Sequence, residues 1–66
     1  MILTTTNHGG DHISLESAID LEDDSVAFIV VYCRLGVYRR YAYSSLKRAH
    51  REYKQLVADW EKDLTP

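Results

Sequence analysis

Polar and apolar positions along the chain change period twice. Residues 2–6 (Ile-Leu-Thr-Thr-Thr) are short and β-branched, and predict a strand. Asn7-His8-Gly9-Gly10-Asp11 predicts a turn, since glycine adopts positive φ without steric cost. Residues 13–21 fit two periods. Ile13, Leu15, Ile19 and Leu21 match a strand, whereas Leu15, Ala18 and Ile19 behind a capping Ser14 match a short helix. The helix is the expectation taken. Residues 22–25 (Glu-Asp-Asp-Ser) form a charged turn.

Residues 26–34 are β-branched, aromatic and uninterrupted, the clearest strand in the chain. Leu35-Gly36 turns it back into a partner strand over 37–43. Leu-Gly is not the favoured Asn-Gly, so a longer loop or a bulge is an alternative to a two-residue turn. From about 45 to 64 the period becomes helical. Leu46, Ala49, Tyr53, Leu56, Val57, Trp60 and Leu64 share one face, and Ser44 or Ser45 caps the start. The implied fold is α+β: a small antiparallel sheet centred on hairpin 26–43, with the long C-terminal helix packed on one face. Residues 1–66 make one small domain.

Strand alternation sorts the hairpin into two faces. With a two-residue turn, Ala27, Ile29, Val31, Cys33, Tyr38, Arg40 and Ala42 share one. Phe28, Val30, Tyr32, Val37, Arg39, Tyr41 and Tyr43 share the other. The first set is small and mostly aliphatic and is expected beneath the helix, with Trp60 and Leu56 against Ala27, Ile29 and Val31. The aromatic and arginine-bearing set then becomes either a second core layer under residues 1–21 or a binding surface.

Charge sharpens this picture. The formal net charge is −2, yet residues 1–33 hold six acidic side chains and no Lys or Arg, while residues 34–54 hold seven basic side chains against Glu52. Residues 55–66 return to acidic. The helix therefore begins basic (Lys47, Arg48, Arg51) and ends acidic (Asp59, Glu61, Asp63), against its macrodipole. Either the acidic half pairs with this basic start or the start is a binding site. The candidate partner-binding residues are Tyr32, Arg39, Arg40, Tyr41, Tyr43, Lys47, Arg48 and Arg51. They suit a protein partner with an acidic surface. Arginines interleaved with tyrosines also suit single-stranded or structured RNA or DNA, although the acidic balance disfavours nucleic acid.

Catalytic and cofactor motifs are missing from the sequence: no Gly-x-Ser-x-Gly, phosphate-binding glycine loop, paired-cysteine zinc signature or His-Glu-x-x-His. No cofactor, no metal and no enzymatic activity are expected. His8, Asp11 and His12 are three donors close in sequence but are read as surface groups of a turn, and Cys33 as a structural thiol. The longest apolar run, residues 26–33, is too short to span a bilayer, and a single cysteine suits a reducing, cytoplasmic setting. A core this small makes a homodimer an expectation too. The strand and turn Gly36-Val37-Tyr38-Arg39-Arg40-Tyr41, followed by a helix containing Tyr53, resemble those of the small KTSC domain. The Lys-Thr-Ser-Cys-like ending and the Val-Pro helix entry of that domain are absent, so no membership is assigned. In size and charge style the chain is similar to small phage-encoded inhibitors, including anti-CRISPR proteins. The function expected is a non-catalytic protein-binding module such as a small stoichiometric inhibitor or adaptor.

Overall fold

The computed structural model describes residues 1–64. Four strands precede one helix: β1 Ile2–His8, β2 Asp11–Ile19, β3 Val26–Arg34, β4 Val37–Tyr43 and α1 Leu46–Leu64. The strands form one antiparallel sheet in the order β1-β2-β3-β4. The α+β architecture expected from the sequence is what the chain adopts.

Each tight connection has its chemistry. Gly9 takes φ 61° at the first position of the two-residue turn that sets His8 opposite Asp11. Leu35 and Gly36 take φ 53° and 78°, so both central residues of the second hairpin are left-handed. The two-residue turn therefore forms without the usual Asn, with the strain on Leu35. The β2–β3 loop closes on its own side chains: Asp20 Oδ1 accepts from Glu22 N at 2.9 Å and Asp23 Oδ1 from Ser25 N at 2.9 Å. Hydrogen bonds from Ser25, its side chain first and then its backbone N–H, hold the Asp23 carboxyl below its ordinary 3.8.

The expected helix in residues 13–21 is not there; residues 11–19 are β2. Alternation decided it. Ile13 and Leu15 face the core at 0% and 2% exposure, and a strand flanked by two antiparallel neighbours satisfies its backbone on both sides.

That change reverses the faces. The hairpin register matches the sequence reading, with Phe28 opposite Tyr43, Val30 opposite Tyr41 and Tyr32 opposite Arg39. The helix, however, lies on this aromatic face. Val30, Ile13, Leu15, Ala49, Tyr53 and Trp60 form the buried cluster, with Phe28, Tyr32, Tyr43, Leu56 and Val57 packed around it. Trp60 and Leu56 thus belong with Val30 and Tyr32, not with Ala27, Ile29 and Val31. The reason lies in β2. Its apolar Ile13 and Leu15 sit beside Tyr32 and Val30, whereas Ile29 and Val31 have Glu16 and Ser14 as neighbours. One face extends apolar across two central strands, and the helix takes it. Ile29 and Val31 remain shielded, at 7% and 5% exposure, on the uncovered face.

Ser45 caps helix α1: its Oγ accepts from Arg48 N at 3.4 Å and its carbonyl accepts from Ala49 N at 3.1 Å. Tyr53 reaches β1 through a 2.7 Å hydrogen bond between its hydroxyl and Thr6 Oγ1. At the far end Trp60 meets the His8 ring edge-on at 4.9 Å and lies under the Arg34 guanidinium at 5.0 Å. Arg34 Nη1 also pairs with Asp63 Oδ2 at 3.4 Å.

Candidate partner-binding surface

The eight candidate residues do not form one patch. Three regions share six of them, and Tyr43 and Arg48 lie near each other by the helix start.

Tyr32, Arg39 and Tyr41 point to the helix side and line a groove between β4 and α1, with Asp59, Asp63 and Trp60 on the opposite wall. Its charges are mixed, and Tyr32 is half-buried beneath the helix. Tyr43 lies near the helix start. Burial first, then the charges of Glu52 and Tyr41, raise its hydroxyl above the ordinary 10.0, while Arg48 opposes them. Arg40 projects from the other side of the sheet, in register with Val31 and beside Tyr38 and Ala42 on that face. Arg39 and Arg40 are thus separated by the thickness of the sheet, as adjacent strand residues must be.

The third region is the helix itself. Lys47, His50, Arg51, Lys54, Gln55 and Ala58 line a shallow depression along α1, spaced at helical intervals. Two of the candidates, Lys47 and Arg51, lie here. His50 and Lys54 were not singled out from sequence; the signal that finds them is their i+3 and i+7 spacing from Lys47. Among the described residues, Lys47, Arg51 and Lys54 form no ion pair. The acidic half of the chain therefore does not neutralise the basic helix start within the molecule. The first helical turn has no acidic residue, so its N-terminal dipole is also uncompensated.

Groups with catalytic potential are dispersed. His8 and Asp11 share the helix side of the sheet, where Asp11 Oδ1 accepts from Leu35 N at 3.4 Å, while His12 lies on the uncovered side opposite Cys33. No group of three His, Cys, Asp or Glu side chains among the described residues is placed to hold a metal ion. No described helix is long and apolar enough to cross a membrane. No family model, curated protein or solved structure matches the chain.

Proposed function

We propose that the chain is a non-catalytic protein-binding module, of the small inhibitor or adaptor kind, that receives an acidic partner surface on the outer face of α1. The observation that carries this reading is the unpaired stripe Lys47, His50, Arg51 and Lys54 on a helix whose charge order opposes its own dipole. Local stability disfavours that order, and among the described residues no ion pair within the chain offsets it at Lys47, Arg51 and Lys54. A partner's carboxylates supply the missing counter-charge and speed encounter.

Nucleic acid finds less to grip. A strand-tracking site needs stacking rings and cations on one accessible surface. Here Arg39 and Arg40 face opposite ways, and Tyr32 and Tyr43 are half-buried.

Affinity resin carrying the wild-type chain is expected to retain an acidic protein that elutes with salt, and resin carrying the triple variant Lys47→Glu, Arg51→Glu, Lys54→Glu to lose it. Equal retention on both resins overturns the proposal. Fluorescence anisotropy with random single-stranded DNA and RNA is expected to show nothing tighter than about 10 μM at physiological salt. Sub-micromolar binding abolished by Arg39→Ala and Arg40→Ala establishes the nucleic-acid reading instead.

A further inference from the structure

The domain is longer and has more surface than its mass requires. Its radius of gyration is 12.7 Å, with extents of 46 × 22 × 16 Å. A compact 66-residue chain has a radius of about 10.8 Å. Its accessible surface is 4886 Å², whereas a 7.6 kDa monomer exposes about 4,300 Å². The excess, roughly 600 Å², is what one partner contributes to a small specific interface.

Much of the extension is an overhang of the β2–β3 hairpin. The helix begins at Leu46, beside Leu3, Thr4 and Leu15, but β2 runs on to Ile19 and β3 starts back at Val26. Ile19 and Val26 pair with each other on the helix side of the sheet, beyond the helix start. They are 65% and 45% exposed, and Leu21 at the tip is 89% exposed. Beside this ledge, Leu3, Leu15 and Leu46 line an open, mostly apolar hollow of about 750 Å³. The tip also carries Asp20, Glu22, Asp23 and Asp24. The helix start next to the hollow carries Lys47 and Arg48.

We infer that the ledge is a homodimer interface occupied by a second copy of this chain. Two ledges stacked face to face and antiparallel about a twofold axis sit about 10 Å apart, the thickness of one helix layer. Each helix then lies in the layer beside the other copy's ledge, with its N-terminus against the other copy's tip. Leu21 of one copy enters the Leu3–Leu15–Leu46 hollow of the second. Asp20, Glu22, Asp23 and Asp24 of one copy meet the positive helix end and the Lys47 and Arg48 side chains of the second. The same surface thus provides an apolar knob, a matching hole and opposite charges at the two ends of the contact. The pairing draws on Lys47, which the outer stripe shares, and leaves Arg51 and Lys54 open to the partner proposed above.

Sedimentation equilibrium of the full chain tests it. The wild type is expected as a concentration-dependent dimer in the micromolar range. Leu21→Ser, at an exposed loop position, is expected to leave the thermal melt of dilute protein unchanged and to raise the dimer dissociation constant by roughly tenfold to a hundredfold. Charge reversal gives an independent reading. Glu22→Lys/Asp23→Lys/Asp24→Lys alone, which leaves Asp20 the one acidic residue of the tip, and Lys47→Glu/Arg48→Glu alone are each expected to be monomeric, because both contacts become like-charged. Mixed one to one, they restore both contacts and form a heterodimer. A wild type that stays monomeric at hundreds of micromolar overturns the inference. So does a dimer indifferent to Leu21→Ser, or a mixture of the two charge variants that does not associate.

Discussion

Leu35 holds a left-handed backbone that a branched side chain disfavours by about 1–2 kcal/mol. Its side chain is 80% exposed and contributes little packing in return. Leu35→Asn is therefore expected to stabilise the domain by about 1 kcal/mol, read as a rise in the thermal midpoint. An unchanged or lower midpoint would show that the turn is not under strain. Trp60 is the opposite case. It is buried at 2% exposure, and its ring is shared by His8, Arg34 and the sheet. Trp60→Ala is expected to cost about 3–5 kcal/mol and to abolish the cooperative melt, by circular dichroism, of a domain this small. Both residues were conspicuous in the sequence. Trp60 was legible as core from its helical spacing. Its sheet contacts were not, because they depended on which hairpin face the helix covers. The strain at Leu35 was half legible: Leu-Gly looked wrong for a two-residue turn, and the fold made that turn anyway.

At the scale of elements, the helix and hairpin 26–43 were readable because each shows one period without interruption. Residues 13–21 were not. Ser17 breaks the apolar alternation of β2, and Ala18 beside Ile19 imitates a helical turn. Misreading that strand also hid which hairpin face is covered, since Ile13 and Leu15 supply the apolar neighbours that decide it. The candidate site suffered from a different cause. A charge run is visible in sequence, but Arg39 and Arg40 on a strand part company, whereas Lys47, Arg51 and Lys54 on a helix come together. The reversed charge order of α1 makes a prediction of its own. Lys47→Glu with Arg48→Glu places two carboxylates in the first turn, where the dipole favours them. The pair is expected to raise the stability of dilute protein by about 0.5–1 kcal/mol in a urea titration. A loss of stability would mean that the cations already have partners within the chain.

For the whole molecule, the four strands follow one another in space as they do in sequence. Each ladder closes across a loop of a few residues. The buried cluster, by contrast, joins Ile13 to Trp60 across most of the chain. Folding kinetics should record that difference. Local ladders form early at small entropic cost, and the helix locks on afterwards. Helix-face substitutions such as Tyr53→Phe, which removes the hydroxyl from Thr6, are then expected to speed unfolding and barely alter the refolding rate in a stopped-flow denaturant series. Changes at Gly9, where a side chain must adopt φ 61°, are expected to slow refolding instead. If Tyr53→Phe slowed refolding as much as it destabilised the domain, the helix would already be seated in the rate-limiting step. Until the helix docks, Val30, Tyr32 and Tyr43 remain uncovered. The interval between making the sheet and covering it is when this chain is most exposed to aggregation and proteolysis.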